Sequence, residues 1–131
     1  MVNLALLVLR LCLGIVFVAH GLQVAFGLFS GSGIQGFANM LAGMGFKPSI
    51  FWSYLSAYTE LIGGLCLILG IFTRFAAFSI LIFMLVAVVK VHLTKGFFIQ
   101  AGGYEYNFVL IAICLALMLA GPGKFALIKK F

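Results

Sequence analysis

The stretch SYLSAYTELIGGLCLILGIFTR, Ser53 to Arg74, decides how the rest of the chain reads. It is long enough to cross a bilayer, and it sets a carboxylate, Glu60, well inside an apolar run. A carboxylate at that depth costs about 2.5–3.5 kcal/mol on insertion scales unless it is paired, protonated or wetted by a cavity. At helical spacing Glu60 shares a face with Ser53, Ser56, Gly63, Gly64, Leu67 and Gly70. That stripe is small or polar nearly throughout, so it is expected to face other helices and not lipid. The fold therefore has to supply helices around Glu60.

Composition agrees. Of 131 residues, 66% are hydrophobic and 8% charged, with a mean hydropathy of +1.33. Such a chain has too little polar surface to cover a soluble domain, and it leaves no room for a separate catalytic module. The net charge of +6 is dispersed along the apolar segments, so it is read as membrane orientation and headgroup attraction, with no nucleic-acid partner. Cys12, Cys66 and Cys114 show no paired spacing and are read as small hydrophobes. The first apolar run has no basic leader and carries Arg10 within it, so it is expected to be a retained helix.

The periodicity predicts an all-α, polytopic membrane protein, a bundle of four transmembrane helices forming one domain over 1–131, with spans at about 3–26, 50–72, 75–93 and 104–120. Between the first two spans, Ile34 to Phe46 has apolar residues at helical spacing but is too short to cross, and is expected to be an interfacial or re-entrant helix. Thr73-Arg74 is read as a tight turn that forces the third span to pack antiparallel to the second. Gly121-Pro122-Gly123 stops the fourth, and the tail KFALIKKF, with its three lysines, is placed at the headgroups. Four spans put both termini on one side. The distribution of Arg74, Lys124, Lys129 and Lys130 against Lys47 and Lys95 makes that side cytoplasmic, in a bacterial-type inner membrane.

Counting residues from the helix ends gathers the ionisable groups in the outer half. His20 comes from the first span, Tyr58 and Glu60 from the second, Lys90 and His92 from the third, and Tyr104 and Glu105 from the start of the fourth. Arg10 lies nearer the inner side, where it either snorkels to headgroups or turns inward toward Glu60. Histidine, arginine, tyrosine and a buried glutamate are suitable types for a quinone head, which needs hydrogen-bond donors to its carbonyl oxygens and a group that takes or gives protons on redox change. Haem b, with His20 and His92 as axial ligands, is the alternative occupant. A metal site from His20, Glu60, His92 and Glu105 is permitted by ligand type, but no spacing motif supports one and no metal is assigned. A network that only fixes helix packing is the bland reading of the same residues.

The ordered segments FVAHGLQVAFG (Phe17 to Gly27), GFANMLAGMGF (Gly36 to Phe46), ELIGGLCLILGIFTR (Glu60 to Arg74), KVHLTKGFF (Lys90 to Phe98), GGYEYNFVL (Gly102 to Leu110) and GPGKFAL (Gly121 to Leu127) resemble the DoxX family of small membrane proteins over almost the whole chain. The family's polar positions fall on Arg10, His20, Glu60, Arg74, His92, Tyr104 and Glu105, while Gln23-Val24 stands where the pattern often has a lysine. The resemblance implies a four-helix integral membrane protein in a family named for a subunit of a quinol oxidase and thiosulfate:quinone oxidoreductase system. It implies a membrane redox subunit holding a quinone or similar ligand, with a larger enzyme or a second copy as protein partner. A non-catalytic anchor for a larger enzyme and a small transporter are the competing readings. No catalytic residue is singled out.

Overall fold

The computed structural model describes residues 1–130, all helix, turn and loop. Phe131, the last residue of the expected domain and tail, lies outside the described residues. Five α-helices follow one another: α1 (Val2–Phe26), α2 (Gly33–Gly43), α3 (Ser49–Leu69), α4 (Thr73–Ala87) and α5 (Glu105–Ala120). Three helical segments, Val2–Phe26, Ser49–Leu69 and Thr73–Lys95, are long and apolar enough to cross a bilayer, while Glu105–Ala120 is apolar but shorter.

The core is drawn from α1, α3, α4 and α5, with Leu13 and Phe17 meeting Leu67, Ile80, Leu110 and Leu117. Outward-facing positions stay apolar: Ile15, Ile62, Leu65, Phe75, Val109 and Leu119 are all exposed. A large exposed apolar belt is rare on soluble monomers and is what lipid contact requires.

The small-residue stripe of α3 does face inward. Ser53, Ala57, Glu60, Gly63, Gly64 and Leu67 are its buried residues, and α1 lies along that face. The reason is backbone proximity. A methyl group on Gly64 would sit 2.8 Å from the Gly14 carbonyl oxygen, and one on Gly14 would sit 2.7 Å from that of Gly64. Without side chains at this seam the two helices approach closely enough to gain dispersion contacts that lipid does not offer.

The turn between α3 and α4 falls at 70–72, not at Thr73-Arg74. Gly70 ends α3 in the left-handed region at φ 73°, and Phe72 adopts φ 47° just before α4 begins at Thr73. Glycine takes that conformation without a Cβ penalty, so the chain reverses three residues earlier than the apolar run suggests. Thr73 and Arg74 become the first turn of α4, and the two helices are antiparallel neighbours as the short link requires.

Beyond Ala87 the helix is not α. Val88–His92 form a π turn and Leu93–Lys95 a 3-10 turn. A π turn holds one extra residue, which rotates the residues after it by roughly 100°. Lys90 and His92 both sit in it. At the opposite end the tail folds back under the helices. Leu127 and Ile128 donate to the carbonyls of Leu69 and Gly70 at 3.2 and 3.1 Å, and Lys124 N–H donates to Asn3 Oδ1 at 2.9 Å. The molecule thus has a tail end, tied shut, and a loop end containing residues 93–104.

Candidate functional site

A cavity of about 930 Å³ occupies the loop-end half, walled by α1, α3, α4 and α5 and flanked by α2. Each wall contributes few polar groups among many apolar ones. From α1, Phe17 and His20 reach it; from α3, Trp52, Leu55, Ser56, Thr59 and Glu60. Ser79, Met84, Lys90 and His92 come from α4 and its π turn, and Tyr106, Asn107 and Leu110 from α5.

Glu60 lies at the centre of this arrangement. It is 4% exposed, and among the described residues it makes no ion pair or hydrogen bond. Tyr106 is within its electrostatic reach. Its position follows from the stripe: Gly63 and Gly64 one turn away hold α3 against both neighbours, and the carboxylate emerges where the packing opens. His20 stands at the edge of the cavity and is itself exposed. It is held by its neighbour Gly21, where a methyl group would meet the Leu61 backbone at 2.7 Å.

His92 is fixed by the loop. Its Nδ1 lies 2.7 Å from the Gly102 carbonyl oxygen. A carbonyl can only accept, so Nδ1 carries the proton, which leaves Nε2 as the site that exchanges one. The π turn is what brings this ring beside the loop. Lys90, two residues earlier, places Nζ 5.5 Å from the centre of the Phe46 ring, and Phe46 packs edge-on against Trp52. Lys90, Phe46 and Trp52 bridge the mouth from α4 across to α3.

Of the eight residues expected to line the site, the cavity takes in His20, Glu60, Lys90 and His92. The others lie elsewhere. Glu105 accepts the Ile99 N–H at 3.0 Å, and its own N–H donates to the Phe97 carbonyl at 2.7 Å; it holds the loop that carries Gly102 and Gly103. Tyr104 packs edge-on against Phe97 in the same loop. Tyr58 points away from the cavity, stacked on Tyr54, and lines a groove on the outer side of α3 and α4. Arg10 is at the tail end, fully buried, with Nη2 donating to the Phe125 carbonyl at 2.9 Å.

Sequence reasoning passed over Asn107, and it placed Tyr106 at the outer start of the fourth span without assigning it to the site. Asn107 is buried, with Nδ2 donating to Met84 Sδ at 3.4 Å. An amide inside an apolar helix is expensive for the same reason as Glu60, and that cost was the signal available. The aromatic and methionine contribution of Met40, Met44 and Phe46, from α2 and the link after it, had no such signal. The cysteines are free, with Cys114 buried and Cys12 exposed. Among the described residues no three His, Cys, Asp or Glu side chains gather closely enough to hold a metal ion.

The DoxX family profile matches residues 5–93. The chain is 31% identical over 121 residues to a Bacillus subtilis (strain 168) protein named "Putative oxidoreductase CatD", covering 92% of this chain and 82% of that one. It is 36% identical over 75 residues to an uncharacterized protein of Haemophilus influenzae, covering 55% of this chain and 50% of that one. No solved structure matches it significantly.

Proposed function

The chain belongs to the DoxX family, and on that footing we propose that it is a membrane subunit of a redox system that holds a quinone in the loop-end cavity. The family and a relative named as an oxidoreductase fit a membrane redox-associated role. The observation that carries the finer reading is the unpaired Glu60 in a cavity of about 930 Å³ whose remaining polar groups are few and spread over its walls. That size lies in the upper range of small-molecule sites, and a mostly apolar wall with a few polar groups suits a flat ring with two carbonyl oxygens.

The roles follow from the side chains. Lys90 and His20 are donors to a quinone oxygen. Glu60 and His92 Nε2 are the groups suited to exchanging protons, since each ring oxygen takes up one proton as the quinone gains two electrons in all. The electrons are assigned to a partner redox enzyme. The single domain is proposed to cross the bilayer four times. α5 is about 24 Å long by helical rise and completes the set beside α4, and α2 is the interfacial or re-entrant piece. Both termini are placed in the cytoplasm of a bacterial inner membrane, so the cavity lies in the outer half.

Trp52, the only tryptophan, lines the cavity and reports occupancy by its fluorescence. A benzoquinone added to purified protein should quench it saturably, and Glu60→Gln or His20→Ala should weaken that binding by about tenfold, the size of a lost charge-assisted hydrogen bond. Equal affinity in both variants would end the quinone reading, and a Soret band in the purified protein would replace it with haem.

A further inference from the structure

The cavity and the outer groove on α3 and α4 share three wall residues, Leu55, Thr59 and Ser79. Leu55 and Ser79 are exposed and Thr59 is half-buried. These side chains therefore stand at an opening between the two helices, with the polar cavity on one side and the lipid-facing surface on the other. Below the opening the two helices are held together. They are joined at the tail end by the 70–72 turn and meet at Gly63, where a methyl group would lie 3.2 Å from the Ile80 side chain. Above that contact the short polar side chains Thr59 and Ser79 border both the cavity and the groove.

From this opening the groove runs toward the tail end between Ile62, Gly63 and Cys66 on α3 and Phe75 and Ala76 on α4. Its volume is about 380 Å³. Thr59 to Cys66 is about 10 Å along the helix. Apart from Tyr58 and the shared Thr59 and Ser79, the walls carry no strongly polar group. Both compartments are thus parts of one amphipathic cleft, with carboxylate, imidazole and ammonium at one end and an apolar track at the other.

We infer that the opening between Thr59 and Ser79 is a lateral portal, and that the ligand is a lipid-soluble ring with one linear apolar tail, its head beside Glu60 and its tail in the α3–α4 groove. This rests on the reading of the cavity as a quinone site and adds its class and route. A ligand of that shape reaches the head site from within the bilayer without passing the Lys90–Phe46 bridge at the loop end. At about 380 Å³ and about 10 Å from Thr59 to Cys66 along the helix, the groove matches the volume of a single apolar chain.

The test compares two probes on the full-length protein in one detergent, by quenching of Trp52: a dimethoxy-methyl-benzoquinone without a tail, and the same ring with a decyl tail. Ser79→Leu plugs the portal and Cys66→Leu fills the track; Ser79 is exposed and Cys66 half-buried. The micelle takes up the tail equally in every variant, so the change between variants is what is read. The preference for the tailed ring should fall by about tenfold in each variant, while in Cys66→Leu, which lies outside the cavity wall, the tailless ring keeps its affinity within about twofold. An unchanged preference in both, with tailless binding still dependent on Glu60, overturns the portal and leaves the cavity reading standing. A tailless ring that does not bind in a Glu60-dependent way overturns the cavity reading and the portal with it. A change in particle mass in Ser79→Leu, by light scattering, shows that a second copy covers the groove and also overturns the inference.

Discussion

Arg10 and Glu60 are both buried charged residues on facing helices, and the two ends of the molecule treat them in opposite ways. At the tail end Arg10 is enclosed. Its Nη2 is held by the Phe125 carbonyl, while its Nη1 lies against Gly70 and, like Nε, has no hydrogen-bond partner among the described residues. The tail is in turn hydrogen-bonded to the last carbonyls of α3. At the loop end Glu60 has no such partner and opens onto a cavity. Burying a charge is costly in either place, and it persists where something compensates it. For Arg10 the chain itself supplies one carbonyl and leaves Nε and Nη1 without hydrogen-bond partners, which marks a partly satisfied structural device. For Glu60 the compensation is left to whatever enters the cavity, which marks a site.

The largest effect should come from breaking the closed end. Arg10→Ala removes the donor to the Phe125 carbonyl and leaves a void beside Gly70 and Ala126. A loss of about 3 kcal/mol is expected from the cavity and the unpaired carbonyl together. It should appear as a lower thermal midpoint in detergent and as new protease cleavage after Pro122. Quinone affinity in the protein that stays folded should change by less than about twofold. A protected tail would mean that the strap holds without its arginine.

Glu60→Gln should do the reverse. Glutamine keeps the shape and removes the charge, and no partner is stranded because Glu60 has none among the described residues. The thermal midpoint should hold or rise, by no more than about 1 kcal/mol in stability, while ligand binding falls. Function lost with stability kept is the signature of a site. A large fall in stability would instead give Glu60 the same structural standing as Arg10.

The contrast was half legible in the sequence. Period and length gave the helices, and the small-residue stripe around Glu60 gave the inward face, because both depend on local spacing. Gly70 as the true turn was also written there, but an unbroken apolar run through Ile71 and Phe72 hid it. What lay beyond reach depended on distant contacts. The bond between Arg10 and Phe125 joins residues 115 apart in sequence, and nothing in either neighbourhood announces it. The π turn at Val88–His92 was equally silent, and it holds both Lys90 and His92. Glu105 was legible as a polar residue at a helix start. Its use, holding Ile99 in a loop, required the loop's fold.

The smallest effect tests the mouth of the open end. Lys90 lies over the Phe46 ring, and both residues are at the surface side of the cavity. Lys90→Met keeps an apolar stem of similar reach and removes the charge, so in the ligand-free protein the attraction to the ring is what is lost, about 0.5–1 kcal/mol at an exposed position. Global stability should scarcely move. The bridge from α4 to Phe46 and Trp52 should loosen, and acrylamide should quench Trp52 more readily than in the unaltered protein. A comparable rise on Ser79→Leu, which narrows the lateral side, is not expected. If Lys90→Met leaves acrylamide quenching unchanged, the bridge does not control the mouth, and the cavity is open to the loop end as well as to the bilayer.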